Sequence, residues 1–191
     1  MKKLILASSS EYRRTLLKRL KIPFECQSPN IDETANKNET PHQLVKRLSL
    51  AKANIIASKN PNAVVIGSDQ VAVFGQRIIG KPGSFDKAFE QLRSFSGELL
   101  IFITGVAIVC ITTGSEAFEY SQVTVKFKNL SDQHLTDYLI ADEPYDCAGS
   151  FKVESLGISL FESVQSNDPT SLEGLPLITI CRLLGKHNYF Q

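Results

Sequence analysis

The order of the apolar segments along the chain is the strongest constraint on its fold. Short apolar strands alternate with segments of helical periodicity, but two long apolar segments, residues 99–111 and 119–128, follow each other directly. Strands separated by helices tend to pair in parallel, whereas directly joined strands pair antiparallel. The sequence therefore predicts an α/β fold with a mixed central sheet and flanking helices. Because no repeat, low-complexity segment or linker interrupts it, we expect residues 1–191 to form one domain.

The composition argues against several classes of protein. A formal net charge of +1 gives no general attraction to nucleic acid or to a membrane surface. No apolar segment reaches the roughly 18–20 residues that a membrane-spanning helix needs. The four cysteines show no Cys-x-x-Cys spacing, which indicates reduced thiols rather than disulfides or a zinc site. We therefore expect a cytoplasmic protein that binds neither a membrane nor, stably, nucleic acid.

The first strand–helix junction has the residues of a phosphate site. A short apolar strand ends at Ala7, and Ser8 with Glu11 fits the capping-box pattern of a helix start. The unpaired N–H groups of a helix N-terminus attract anions, and Arg13 and Arg14 add two guanidinium groups one turn later. The alternative is an arginine pair that is simply solvated on a surface helix.

Acidic residues at two places in the chain are candidates for catalysis. Asp69 follows the apolar strand of residues 63–66, in a Gly-Ser-Asp-Gln sequence that predicts a turn. Ligands of open α/β sheets collect at such strand ends, where a carboxylate can bind a metal or deprotonate a water molecule. The alternative for Asp69 is an ordinary Asx turn. Asp32 and Glu33 lie together in the polar loop of residues 29–40, which is either filler or a functional flap.

Two lysines complete the predicted set of charges. Lys52 lies beside the apolar face of a predicted helix, so it reaches into a cleft or only snorkels to solvent. Lys81 is held on a stiff loop between Gly80 and Pro82, and no P-loop pattern is present. Ser150 is a weak nucleophile candidate, because no histidine is near it in sequence. Acids and cations of this kind suit metal-assisted attack on a phosphate anhydride.

The remaining pattern predicts the other elements of the fold. A hairpin turn is expected at Gly75-Gln76, and glycines interrupt a strand-like segment at residues 149–162. Four further helices are predicted, at residues 41–58, 85–95, 131–141 and 170–184.

Six short motifs, in order and over nearly the whole chain, resemble those of the Maf-type nucleotide pyrophosphatases. They are Ser8-x-x-x-x-Arg13-Arg14, Asp32-Glu33-Thr34, Ala51-Lys52-Ala53, Gly67-Ser68-Asp69, Gly80-Lys81-Pro82 and Gly174-Leu175-Pro176. The resemblance implies an elongated, two-lobed α/β domain with a central cleft, similar to that of inosine triphosphate pyrophosphatases. It also implies hydrolysis of a nucleoside triphosphate to the monophosphate and pyrophosphate with Mg²⁺ or Mn²⁺, and a homodimer.

The resemblance also assigns roles to individual residues. Asp69 corresponds to the proton acceptor that activates water, and Glu33 to a metal ligand, together with Asp69. A carboxylate tightly bound to a metal cannot also be a strong base, so the dominant role of Asp69 is open. The phosphate-binding positions are Ser8, Arg13, Arg14, Lys52 and Lys81.

Three further positions concern the choice of base. Family members that act on dTTP and UTP typically carry Arg, Thr and Gln where this chain has Tyr12, Gln70 and Glu154. These residues, with the segment of residues 147–154, resemble the members that hydrolyse 7-methyl-GTP. The chemistry agrees, because an aromatic face attracts a cationic methylated ring and a carboxylate accepts hydrogen bonds from guanine. The alternatives are a core position for Tyr12 and a surface acid on a strand for Glu154.

The sequence therefore predicts a pyrophosphatase for 7-methyl-GTP that keeps modified nucleotides out of nucleic acid. One alternative is a pyrophosphatase for dTTP and UTP, or one of broad range. An alternative of another class is a nucleotide-binding regulator of cell division.

Overall fold

The computed structural model describes residues 2–190, and they form an α/β protein with a mixed sheet. Five helices are present: α1 (Glu11–Lys18), α2 (Pro41–Lys59), α3 (Phe85–Phe95), α4 (Asp132–Asp142) and α5 (Leu177–Gly185). Seven strands are β1 (Leu4–Ala7), β2 (Glu25–Cys26), β3 (Val64–Phe74), β4 (Arg77–Ile79), β5 (Leu99–Cys110), β6 (Ser115–Phe127) and β7 (Phe161–Ser166). The strand order is β2-β1-β3-β5-β6-β7, with β4 paired to β3. The predicted mixed sheet with flanking helices is confirmed.

The chain divides into two compact units. The first contains the residues up to Gln70, Thr104–Ser121 and the residues from Asp168 onward, and the second contains Val71–Ile103 and Gln122–Asn167. The prediction that residues 1–191 form one domain stays a prediction, and residues 1 and 191 lie outside the described chain. Within residues 2–190, no helix is long and apolar enough to cross a membrane.

The first unit has helices on both faces of a parallel strand group. β1 pairs in parallel with β2 and β3, with Leu6 opposite Ile66. Because side chains alternate along a strand, Leu4 and Leu6 pack with residues of α1 and α5, whereas Ile5 and Ala7 pack with α2. Each face of the sheet therefore has its own apolar core, and the helices bury both faces.

The second unit is built around antiparallel pairs and phenylalanine rings. β3 and β4 form the predicted hairpin, with Phe74 opposite Arg77 and Gly75 at φ +59° in the turn. β6 pairs antiparallel with β7, and Phe127 contacts the rings of Phe95, Phe151 and Phe161 with centroids 5.2–5.8 Å apart. Such tilted and edge-on ring pairs are the favoured aromatic geometry in a core.

Three element boundaries differ from the sequence prediction. Ser10, not Ser8, is the N-cap of α1, and its hydroxyl accepts a hydrogen bond from the Arg13 amide at 3.4 Å. The segment predicted as a strand at residues 149–162 is mostly turn and 3₁₀ helix, and β7 begins only at Phe161. The last helix begins at Leu177 rather than residue 170, because turns occupy residues 169–174 and Pro176 is the N-cap.

Candidate functional site

Asp69 lies inside a long buried strand, which corrects the prediction of a turn at residues 67–70. β3 continues through Gly67, Ser68, Asp69 and Gln70, and only 6% of the Asp69 surface is exposed. An Asx turn at Asp69 is therefore excluded. Polar residues in sequence predict a turn because they usually need solvent, but here side chains and backbone carbonyls of other segments pair with them. A carboxylate inside a sheet is held more rigidly than one on a loop.

Gly67 brings helix α2 against this strand. A Cβ atom on Gly67 would lie 2.2 Å from the carbonyl oxygen of Ser49 and 2.6 Å from the amide nitrogen of Ala53. No real side chain tolerates such distances to backbone atoms, so only glycine permits this approach. The close contact places Lys52, between these two helix positions, directly over the strand.

Lys52 joins the two predicted carboxylates. Its ammonium nitrogen lies 2.7 Å from Asp69 Oδ1 and 2.7 Å from Glu33 Oε1. Lys52 is only 4% exposed, whereas more than half of the Glu33 side chain is in contact with solvent. Of the two explanations for Lys52, snorkelling to solvent is therefore excluded, and a position in a cleft stays a prediction. One buried cation is shared by a buried acid and an exposed acid.

Burial controls the protonation of Asp69. Burial raises the pKa of Asp69, and the nearby charge of Glu33 adds to this, while the charges of Lys52 and Arg13 oppose it. A carboxyl whose pKa lies above its ordinary value is a better general base near neutral pH, because it holds an abstracted proton more readily.

Arg13 faces the same carboxylates, whereas Arg14 does not pair with them. Desolvation lowers the pKa of Arg13, and the charges of Asp69 and Glu33 oppose that shift. The Arg13 Nε–H donates to the carbonyl oxygen of Gly174 at 3.0 Å. Arg14 instead forms an exposed ion pair with Glu11 at 3.2 Å. The structure thus brings together Arg13, Glu33, Lys52 and Asp69.

The other residues predicted in the first unit take different positions. Ser8 is buried, and its hydroxyl accepts a hydrogen bond from the Ser10 amide at 3.1 Å. Tyr12 is 39% exposed on α1, so the alternative of a core position is wrong. The amide nitrogen of Gln70 donates to Thr104 Oγ1 at 2.8 Å and to the Ser171 carbonyl at 2.9 Å. Its side chain therefore fastens β3 to the loop before α5.

Two further predicted residues belong to the second unit. Lys81 is exposed on the loop after β4. Glu154 is also exposed, but in a turn rather than on the strand that the alternative assumed, because the apolar residues around it are interrupted by glycine and turn geometry.

Hydrogen bonds fix the loop that carries Lys81. The buried Ser150 hydroxyl donates to Gln91 Oε1 at 2.6 Å, and Gln91 Nε2 donates to the Gly80 carbonyl at 3.3 Å. The Gly83 amide donates to the Tyr145 carbonyl at 2.9 Å. The Ser150 hydroxyl therefore has a structural role in a hydrogen-bonded series, and its partner Gln91 lies 59 residues away, so no local sequence pattern indicates the contact.

Sequence reasoning missed the backbone part of the site. Gly174 has φ +106°, in a region that disfavours other residues, and its carbonyl is the acceptor for Arg13. The motif Gly174-Leu175-Pro176 marks this loop in the sequence but gives no hint of the partner. Gly67 was likewise part of a motif without a stated role, and only the packing of α2 explains it.

Two carboxylates that converge on one cation can also serve a metal ion. Among residues 2–190, no group of three or more His, Cys, Asp and Glu side chains is arranged to hold one. Mg²⁺ is commonly bound by one or two carboxylates, with water and substrate phosphates completing the shell. Glu33 and Asp69 both contact the Lys52 ammonium, and their carboxylate oxygens are of the kind that Mg²⁺ prefers.

The fold and the site together define an α/β protein with a buried carboxylate and two cations suited to anionic, phosphate-containing ligands. Residues 3–187 match the family model described as Maf-like protein, so the chain belongs to the Maf family.

Comparisons with individual proteins agree with this family. A protein of Albidiferax ferrireducens named 7-methyl-GTP pyrophosphatase is 50% identical over 96% of this chain and 92% of its own length. A protein of the same name from Pseudomonas savastanoi pv. phaseolicola is 50% identical over 97% of both chains. That from Colwellia psychrerythraea is 46% identical over 98% of this chain and 94% of its own.

Similarity to solved structures is weaker. The Staphylococcus aureus Ham1 protein matches 67% of this chain and 73% of its own, with 17% identity and a TM-score of 0.46. The elongated shape and the central cleft stay predictions.

Proposed function

We propose that this chain hydrolyses 7-methyl-GTP to the nucleoside monophosphate and pyrophosphate, in the cytoplasm, and so keeps a modified nucleotide out of nucleic acid. The observation that carries the proposal is the buried Asp69 of β3, whose carboxylate contacts the Lys52 ammonium and interacts electrostatically with the Arg13 guanidinium. Relatives of about 50% identity that bear the name 7-methyl-GTP pyrophosphatase support the choice of substrate.

Asp69 is the proposed general base. It takes a proton from water while the water oxygen forms a bond to phosphorus, and the anhydride bond between the α and β phosphates breaks. The products are the monophosphate and pyrophosphate, so one water is consumed for each bond cleaved. The raised pKa of Asp69 suits this role, because the base must accept the proton in the transition state.

Arg13 and Lys52 are the proposed phosphate ligands closest to this base. A guanidinium can donate two parallel hydrogen bonds to phosphate oxygens, and an ammonium acts as a point charge. Developing negative charge on the phosphates is stabilised by cations that are already in place. Ser8, Arg14 and Lys81 are proposed as further phosphate-binding residues on their sequence motifs alone.

A divalent cation, Mg²⁺ or Mn²⁺, is part of the proposal. Glu33 and Asp69 would hold it, together with phosphate oxygens of the substrate. When bound, such an ion neutralises phosphate charge and polarises the phosphoryl oxygens. The two roles of Asp69 predict different metal responses: Asp69→Asn should raise the metal concentration needed for half-maximal activity if Asp69 is mainly a ligand, and lower turnover at saturating metal if it is mainly the base.

Tyr12 and Glu154 are the proposed determinants of base recognition. Tyr12 presents an exposed ring on α1, which suits stacking on a cationic base. Glu154 is exposed and can accept hydrogen bonds from guanine N1–H and its exocyclic amine. Gln70 contributes indirectly in this proposal, since its amide nitrogen holds the loop before α5. The homodimer implied by the family resemblance stays a prediction.

The test is pyrophosphate release by the purified chain with Mg²⁺ or Mn²⁺, over a panel of nucleotides that includes 7-methyl-GTP, GTP, dTTP and UTP. We expect 7-methyl-GTP to have the highest kcat/KM. Asp69→Asn should lower turnover by about 10²–10⁴, the usual contribution of a general base. Asp86→Asn, which changes an exposed acid in the first turn of α3, is the matched control and should retain activity.

Each alternative has its own outcome in this assay. Faster turnover of dTTP or UTP would identify a pyrimidine or broad-range pyrophosphatase. A folded chain that binds nucleotides but releases no pyrophosphate would point to a regulator. Full activity of Asp69→Asn would remove Asp69 from the mechanism.

A further inference from the structure

The segment between β7 and α5 is tied together by a buried carboxylate. Asp168 is only 3% exposed. Its Oδ1 accepts hydrogen bonds from the Thr170 amide at 3.1 Å and the Thr170 hydroxyl at 2.7 Å, and its Oδ2 accepts one from the Ile178 amide at 2.8 Å. The carboxylate therefore joins the start of this loop to the first turn of α5, where an anion also interacts favourably with the helix.

Thr170 fastens the end of the same loop. Its Oγ1 lies 2.9 Å from the Leu175 carbonyl oxygen and accepts a hydrogen bond from the Leu177 amide at 2.9 Å. Its single hydroxyl proton can be donated either to Leu175 or to Asp168. With both partners at hydrogen-bond distance, the loop from residue 168 to residue 177 is closed into one fixed turn.

The fixed loop presents one carbonyl toward the candidate site. The oxygen of Gly174 accepts the Nε–H of Arg13 at 3.0 Å, and the Ser68 hydroxyl lies 3.5 Å from the same oxygen. On the far side of the loop, Gln70 donates to the carbonyl of Ser171. The position of the Gly174 carbonyl is thus determined by Asp168 and Thr170 at one end and by β3 at the other.

We propose that Asp168 is a positioning residue for Arg13. Asp168 fixes the position of the Gly174 carbonyl, and that carbonyl accepts a hydrogen bond from Arg13 Nε. The orientation of the Arg13 guanidinium is therefore set by a rigid backbone group. The inference rests on the proposed function, in which Arg13 binds the phosphates of the nucleotide. A guanidinium held in one orientation loses less entropy when it binds phosphate, and a misplacement of about 1 Å can cost about 10²-fold in rate.

A double-mutant cycle tests this role against a merely structural one. Asp168→Asn keeps the shape of the side chain but replaces one acceptor oxygen by an NH₂ group. In the wild-type background we expect kcat/KM for 7-methyl-GTP to fall by roughly tenfold or more, up to about 10²-fold. In the Arg13→Ala background the same change should have little further effect, since the group that it positions is already absent.

Two further variants keep the test valid if Asp168→Asn is poorly folded. Thr170→Val removes the hydroxyl at nearly constant volume and should show the same dependence on Arg13, whereas Thr170→Ser keeps the hydroxyl and should restore kcat/KM. Ser131→Ala removes the N-cap hydroxyl of α4 in the second unit and serves as a matched control. It should lower the melting temperature without coupling to Arg13.

The possible results separate the inference from the function on which it rests. Equal losses from Asp168→Asn or Thr170→Val in the presence and absence of Arg13 would overturn the positioning role. Unchanged kcat/KM in Arg13→Ala alone would instead overturn the phosphate-binding role of Arg13, and with it the reason for positioning it.

Discussion

Replacement of Lys52 by methionine tests how the candidate base is tuned. Lys52 is the nearest opposite charge to Asp69, at 2.7 Å, and it lowers a pKa that burial otherwise raises. Coulomb's law with an effective dielectric constant of about 20 gives an attraction of about 6 kcal/mol at this distance, or about 4 pKa units. This is an upper limit, because water and neighbouring groups rearrange around the carboxylate when the ammonium is removed. Methionine has a similar length and no charge, so it removes this attraction with little change of volume.

The expected result is a displacement of the pH profile. Asp69 must be deprotonated to accept a proton, so kcat/KM falls as the pH falls through its pKa. Loss of an opposite charge within about 4–6 Å typically changes a carboxyl pKa by about 1–3, which should move the acid limb of Lys52→Met upward by about that number of pH units. The same substrate and the same metal concentration are used for both proteins, so titration of the triphosphate cancels in the comparison.

The pH at which kcat/KM falls on the acid side is measured independently of the maximum value of kcat/KM. Lys52 is also a proposed phosphate ligand, and its loss lowers kcat/KM at every pH. Lys59→Met, at an exposed position in the last turn of α2, should leave the profile unchanged. An acid limb at the wild-type pH in Lys52→Met would refute the argument that Asp69 titrates under the control of Lys52.

The interaction between Asp69 and Lys52 should also make the free energy of unfolding depend on pH, in a direction that follows from the Asp69 pKa shift. Because the pKa of Asp69 is raised in the folded chain, folding takes up a proton, and this contribution to stability is lost as pH rises through the folded pKa. Removal of Lys52 raises the folded-state pKa of Asp69 further, which widens the pH range between the unfolded-state and folded-state pKa values. Breaking a buried ion pair costs about 3–5 kcal/mol, so we expect the melting temperatures of Lys52→Met and wild type to differ little at acid pH and to separate toward neutral pH.

Three other changes have expected outcomes. Gly67→Ala should lower the free energy of unfolding by about 1–3 kcal/mol or more, since its methyl group would overlap the α2 backbone, whereas Gly185→Ala, with nothing within 4 Å, should not; equal melting temperatures would contradict this. Ser150→Ala should raise KM more than it lowers kcat, because it removes the first hydrogen bond of the series that holds the loop after β4; an unchanged KM would show that the loop needs no such support. Tyr12→Arg combined with Glu154→Gln should shift preference toward pyrimidine triphosphates, and an unaltered nucleotide panel would mean that both residues are only structural.

Much of the architecture could be predicted because it depends on local patterns. Helices α2 to α4, the hairpin at Gly75 and the long strands β5 and β6 follow from apolar periodicity, caps and turn residues. The sequence predictions are wrong where residues distant in sequence determine the local conformation. The sequence of residues 67–70 predicts a turn, but Asp69 lies inside a strand, where Lys52 compensates its charge. Lys52 is 17 residues away, so no local sequence pattern indicates this contact.

The start of α5 shows the same limit. Helical periodicity extends back to residue 170, yet the segment folds as turns because Asp168 and Thr170 bind its backbone groups and Gly174 takes a left-handed conformation. For the site, the charged residues could be chosen from sequence because their chemistry is visible there. The carbonyl of Gly174 could not, since every residue has one and only the fold selects it.

The two carboxylates are carried by parts of the chain that unfold at different cost. Asp69 belongs to a strand paired on β1 and covered by α2, so its backbone amide should exchange with solvent hydrogen only when much of this unit opens. Glu33 lies on a segment without regular structure and contacts Lys52 from the solvent side. Local opening can therefore withdraw one acid and leave the other in place, so the charge around Lys52 can change by one unit without disturbing the sheet.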